Sequence, residues 1–212
     1  FQPVQGAFAE VYQDMRNQAD ARYFFPYSIR GYFIQSTVRP EYQASGDGIS
    51  KLNADWGTDY ASFAEVNLPA TPPTNPSMRA AWWLFVRSSL AGNFIHLDAS
   101  LLPAYQAALK SKYQNLERYN RSHGTAWQNW EEIPVPGRPR TTLQNRDLED
   151  FVSRQSTPDG LSLTGADFAW TESLRSQYGN DLHALNQAFG TSYKRFEDVP
   201  MPLLEYDAVV MQ

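Results

Sequence analysis

LNQAFGTSYKRFEDVPMP (residues 185–202) passes from a helical pattern through Gly190-Thr191 into aromatic residues, an acidic pair and two prolines. Two other stretches align with it without a gap: LNADWGTDYASFAEVNLP (52–69) and YNRSHGTAWQNWEEIPVP (119–136). Asn53, Asn120 and Asn186 coincide, as do Gly57-Thr58, Gly124-Thr125 and Gly190-Thr191. The aromatic pairs Tyr60/Phe63, Trp127/Trp130 and Tyr193/Phe196 follow in register. An acid before a β-branched residue recurs as Glu65-Val66, Glu132-Ile133 and Asp198-Val199, and Pro69, Pro136 and Pro202 close the alignment. The glycines lie 67 (124 − 57) and 66 (190 − 124) residues apart. Self-similarity at such a period is the signature of a repeated supersecondary unit.

Upstream the likeness is weaker. GYFIQSTVRPEYQA (31–44) echoes GNFIHLDASLLPAYQA (92–107), and Phe85-Val86 and Phe151-Val152 stand at the same distance before Gly124 and Gly190. Within each unit, a helical stripe ending in glycine predicts a helix closed by a left-handed residue, after which the chain reverses. The spacing predicts one helix from Ser100 to Gly124 and another from Thr164 to Gly190. Opening helices are expected over 4–21, 77–90 and 143–155, with GYFIQST and GNFIHLD as short β-type connections. Proline-rich stretches at 69–77 and 134–140 fall between the copies. The expected fold class is therefore mainly α, or α+β with short strands, in three degenerate helical repeats of about 66 residues packed into one compact body. The copies span approximately 1–69, 70–136 and 137–202, followed by a C-terminal arm at 203–212.

Composition narrows the function. With 42% hydrophobic and 19% charged residues, the chain is too apolar for a disordered protein. Its most apolar run, AAWWLFVRSSLAG (80–92), is interrupted by Arg87 and too short to span a bilayer. A start at Phe1, without a basic segment and a long apolar run, reads as a mature or excised piece. The net charge of −5 argues against nucleic acid, which demands a basic face. With no cysteine, thiolate catalysis and cysteine metal sites are excluded.

Motifs for catalysis are not found. His96, His123 and His183 lack metal-ligand spacing, and His123 occupies the place of Trp56 and Phe189 in the other copies, which reads as a core or helix-end histidine. Neither a phosphate-binding loop nor a dinucleotide fingerprint occurs, so no cofactor or metal is expected. The paired acids Glu131-Glu132 and Glu197-Asp198 could suggest a glycosidase. Recurrence of the acid in every copy points instead to capping or a solvated face, because an active site needs one asymmetric constellation. Trp82 and Trp83 diverge by about 100° on a helix, so both cannot easily face inward. Trp82, Trp83 and Arg87 are the candidate partner-docking residues, chosen by composition.

Two resemblances attach to these residues. YGNDLHALNQAFGTSY (178–193) resembles a helix-and-turn segment of bacterial family-42 β-galactosidases, but it includes none of that family's catalytic acids and transfers no activity. The ALN-x-x-x-GT-x-Y-x-x-F-x-x-V-P pattern also resembles units in the extracytoplasmic insertions of sugar-type ABC transporter permeases, relatives of the maltose permease. That likeness extends to FQPVQGAFAEVYQDM and PLLEYDAVVMQ as the arms of such an insertion. It implies a non-catalytic domain on the periplasmic face of the bacterial inner membrane, attached to the membrane only through segments outside this chain. The implied partners are a periplasmic solute-binding protein, a second permease subunit and an ATPase subunit. The alternative expectation is a carbohydrate-binding module or a fragment of a glycoside hydrolase.

Overall fold

The computed structural model describes residues 10–12, 14–15, 28–43, 46–137 and 140–201. Of the expected opening helix, residues 10–12 and 14–15 are helical, and its remainder, like the arm at 203–212, lies outside the described residues. The chain is mainly helical, with α1 (Ile29–Phe33), α2 (Arg39–Tyr42), α3 (Gly48–Trp56), α4 (Pro76–Ser88), α5 (Leu102–Tyr113), α6 (Leu116–His123), α7 (Thr142–Ser153), α8 (Ala166–Gln177) and α9 (Leu182–Phe189). A π-helical turn, Ile34–Val38, joins α1 to α2. Two short strands, β1 (Ile95–Leu97) and β2 (Leu161–Leu163), pair antiparallel with Ile95 opposite Leu163 and Leu97 opposite Leu161. Those four residues are buried and His96 between them is exposed, the alternation a half-buried ribbon requires.

Local chemistry explains where the helices start. Asn75 accepts from the Met78 amide at 3.0 Å, with Pro76 at the first position of α4. Thr141 and Gln144 form a reciprocal capping box on α7. Ser28 accepts from the Gly31 amide at 3.0 Å and opens α1, so GYFIQST is helical rather than a β-type connection. GNFIHLD does contain β1. The long helices expected over 100–124 and 164–190 are each broken in two. Gln114 adopts φ 66°, and Gly179 and Asn180 adopt φ 58° and 61°, which a continuous helix cannot contain.

Two compact units are delimited. One comprises Phe1–Gln35, Tyr60–Leu68 and Thr164–Gln212, the other Ser36–Asp59 and Pro69–Leu163. In the first, Trp170 and Leu174 of α8 pack with Leu185, Phe196 and Val199, and with Val11, Tyr12 and Met15. The Trp170 indole N–H donates to the Val199 carbonyl at 3.2 Å. Arg30 gathers two turns through one guanidinium, donating to the carbonyls of Ala64 at 2.7 Å, Val66 at 2.9 Å and Glu197 at 3.3 Å. In the second unit, Met78, Ala81, Trp82, Phe85 and Val86 form the inward stripe of α4, which packs against α3 and α7. Tyr105 of α5 meets Phe151 of α7 edge to face at 5.4 Å. Each such large side chain contributes about 1.5–3 kcal/mol on burial.

Residues 52–69, 119–136 and 185–201 share one local geometry at the helix end. Gly57, Gly124 and Gly190 have φ of 68°, 64° and 64°, each at the end of a helix. The next residue's amide returns to the asparagine carbonyl: Thr58 to Asn53, Thr125 to Asn120 and Thr191 to Asn186, each at 3.0 Å. The threonine hydroxyls donate to the same asparagines' Oδ1 at 2.9, 2.8 and 2.9 Å. Asn120 and Asn186 also accept the amides of Trp127 and Tyr193 at 3.1 and 2.8 Å, and return a bond to those residues' carbonyls, each at 2.9 Å. A 3-10 turn follows at Phe63–Glu65, Trp130–Glu132 and Phe196–Asp198, and then a buried Val66, Ile133 or Val199. Ahead of each glycine the last helical side chain meets a tyrosine from the preceding helix or its cap, edge-on: Trp56 with Tyr42, His123 with Tyr113, Phe189 with Tyr178.

What recurs in space is this helix-end assembly. The compact units do not follow the copy boundaries near 69 and 136, since Tyr60–Leu68 belongs to the unit that holds α8 and α9. A Cβ built on any of the three glycines meets nothing within 4 Å. The cost of Gly124→Ala is therefore backbone strain alone, about 1–2 kcal/mol, read from the urea midpoint. Asn120→Ala strands the Trp127 amide and should cost about 1–3 kcal/mol in the same assay.

Candidate functional site

The α4 outer face is the first candidate. Trp82, expected to be available for docking, is instead core: it is 0% exposed and its indole N–H donates to the Pro69 carbonyl at 2.8 Å. Its phase explains this, since 78, 82, 85 and 86 share one stripe with Trp82 at the centre. Trp83, one position round, is half-buried and carries the exposed Arg87 guanidinium 5.9 Å from its ring centroid. Leu84, which composition did not single out, is 48% exposed beside them. With exposed Ala80, these residues form a stripe at i, i+3, i+4 and i+7. The structure thus brings Trp83 and Arg87 together on a surface and separates Trp82 from them.

A second cluster was missed by the sequence reading. Asp147 of α7 and His123 at the end of α6 have side chains 0% and 3% exposed, with His123 Nε2 2.9 Å from Asp147 Oδ2. The Lys112 ammonium lies 2.8 Å from Asp147 Oδ1 and also pairs with Asp150. The Tyr113 hydroxyl donates to both Asp147 oxygens at 3.0 and 3.1 Å. Nε2 of His123 is 3.1 Å from that hydroxyl, and the ring stacks on Tyr119 at 4.2 Å. A carboxylate only accepts, so His123 presents Nε2–H to it. Burial pushes the Tyr113 phenol well above its usual range, with the Asp147 charge adding to the effect. Burial likewise raises Tyr119 to about 12, again reinforced by Asp147.

The chemistry of this arrangement is structural. Nε2 is committed to a carboxylate and a phenol, and a ring this deeply buried has little surface to give a substrate. The clue in the sequence was phase: Asp147 shares the inward stripe of α7 with Leu148, Phe151 and Val152, where an acid must be paired. His96 and His183 are exposed, and among the described residues no three His, Asp or Glu side chains converge as metal ligands. The recurring acids Glu65 and Glu132 accept the amides of Ala61 and Gln128 at 3.0 and 2.9 Å, so they cap turns. Comparison with known proteins finds no matching family model, no similar curated protein and no similar solved structure.

Between them, Lys112, Tyr113 and His123 give the Asp147 charge all of its polar partners named above. Asp147→Ala should lower unfolding free energy by about 3 kcal/mol, toward the lower end for a broken buried pair because Lys112 keeps Asp150. Chemical denaturation at pH 7.5 measures it.

Proposed function

We propose that the chain is a non-catalytic docking domain, the extracytoplasmic part of a sugar-type ABC importer permease, on the periplasmic face of the inner membrane. The observation that carries the docking role is the outer stripe of α4, where Leu84 is 48% exposed beside Trp83 and Arg87. Aromatic, aliphatic and arginine side chains together on one rigid face are the composition of an interface centre. The helix beneath is held by Trp82 and Phe85, so the stripe meets a partner without reordering its backbone. The solute-binding protein is the partner for this face, with a second permease subunit and an ATPase subunit completing the transporter. The importer identity rests on the sequence resemblance. Among the described residues no helix is long and apolar enough to cross a membrane, and membrane attachment in this reading comes from segments outside the chain.

The test uses the whole transporter in detergent and its solute-binding protein. Trp83→Ala and Leu84→Ala should each weaken binding roughly tenfold or more, the range of an interface hot spot. The unfolding free energy of the domain should change by no more than about 0.5 kcal/mol for Leu84→Ala. Unchanged binding in both variants would remove α4 from the interface. Oligosaccharide that binds the isolated domain, and is lost in Trp83→Ala, would favour a carbohydrate-binding module instead.

A further inference from the structure

We propose that the Asp147 carboxylate is a latch across the strained α5–α6 turn, closed while His123 is neutral and released when that ring takes up a second proton. The strain is visible at Gln114, a non-glycine residue at φ 66° and ψ −38°. The Asn115 amide there returns to the Tyr113 carbonyl two residues back at 2.8 Å, closing a γ-turn of the rarer, strained hand. Lys112 and Tyr113 end the helix before this turn and His123 ends the helix after it. All three point to one carboxylate on α7. Asp147 therefore fastens both arms of the α5–α6 hairpin to a third helix, against the tendency of the turn to relax.

Charged and titratable groups face the ring from three elements. From α5 come Lys112 and Tyr113, from α6 Tyr119, and from α7 Asp147, with Asp150 paired to Lys112. Glu131 and Glu132 of the adjoining 3-10 turn are exposed, and Glu132 is occupied by Asn129 and the Gln128 amide. A second proton on His123 would add a charge in a site 3% exposed, beside a carboxylate that Lys112 already balances. Burial is the largest influence on the ring, Asp147 opposes it, and Lys112 adds to it; the net effect holds His123 below its ordinary value of 6.5. A depressed folded-state value means that the stabilisation is complete above pH 6.5 and is lost as pH falls below it. At the other end, burial lowers Lys112, but its hydrogen bonds to Asp147 and Asp150 and the charges of both together hold it above its usual value. The Tyr113 phenol that donates to Asp147 is also held well above its usual range, chiefly by burial, so this arm of the latch stays closed into alkaline solution.

The sites matching His123 in the other two helix-end assemblies hold Trp56 and Phe189, which do not titrate. The acid response is thus confined to one of the three.

Amide hydrogen exchange resolved by NMR tests this on the intact chain, following α6 against α4 between pH 7.5 and 5.5 and correcting for the intrinsic rate. Opening of α6 should increase by up to tenfold per pH unit below 6.5, the slope of one proton, while α4 stays protected. His123→Phe should abolish the pH dependence. Gln114→Gly, which accepts this backbone without strain, should protect α6 more strongly at pH 5.5. Protection of α6 that is flat with pH, or a pH dependence that survives His123→Phe, would overturn the latch. Should His123→Phe not fold, unchanged α6 protection in Gln114→Gly would overturn it equally.

Discussion

An asparagine side-chain oxygen, one helical turn before a left-handed glycine, stands in for a backbone acceptor where the chain leaves α6 and α9. The last turn of any helix carries unpaired carbonyls, and an irregular segment after it carries unpaired amides. Asn120 and Asn186 answer both needs. Their backbone carbonyls take the threonine amide, their Oδ1 atoms take the threonine hydroxyl and an aromatic residue's amide, and their Nδ2 groups return a bond to that aromatic residue's carbonyl. At Asn53 the threonine amide and hydroxyl are held in the same way. The direction of the chain after each helix follows from this clamp. The 3-10 turn and the buried Val66, Ile133 or Val199 come next in register.

Much of this was legible because it is local. Asn, Gly and Thr at fixed offsets state a backbone conformation and the side chain that satisfies it, and no distant contact is needed to read them. The mainly helical class followed from periodicity, and α4 and α7 lie within two residues of the expected 77–90 and 143–155. Gly179-Asn180 did carry a signal, two residues that tolerate positive φ, which the helical stripe on either side outweighed. The break at Gln114 was not legible, because no intrinsic preference of glutamine signals a positive φ. Nor was the π-turn at Ile34–Val38, where a β-branched pattern suggested extended chain. The whole-copy division was less informative than the motif, since the compact units gather Tyr60–Leu68 with residues far along the chain.

The candidate site divides in the same way. Trp82 and Trp83 were indistinguishable by composition, yet the stripe Met78, Ala81, Trp82, Phe85 and Val86 separates them once α4 is phased. Asp147 was hidden because Arg-Asp-Leu-Glu-Asp reads as a solvated face, whereas its register with Phe151 turns it inward. Its partners lie 24 to 35 positions earlier in the chain, at Lys112, Tyr113 and His123, a separation that no periodicity spans. The result is a division of labour within the second unit: apolar and aromatic packing under α4, and a buried ionic network between α5, α6 and α7. The outer face of α4 sets the exposed Leu84 beside Trp83 and Arg87 on a helix whose other side is core, and the docking reading depends on that contrast.

The central claim is that an asparagine side chain replaces a backbone acceptor in otherwise irregular chain, and the amides of Trp127 and Tyr193 report on it directly. Their acceptors are Asn120 Oδ1 at 3.1 Å and Asn186 Oδ1 at 2.8 Å. Site-resolved hydrogen exchange at pH 7.5 should find both amides protected to within about tenfold of the helix that carries their asparagine, the range of a single cooperative opening. Exchange of either amide at the rate of an open loop, with α6 and α9 still protected, would contradict the account.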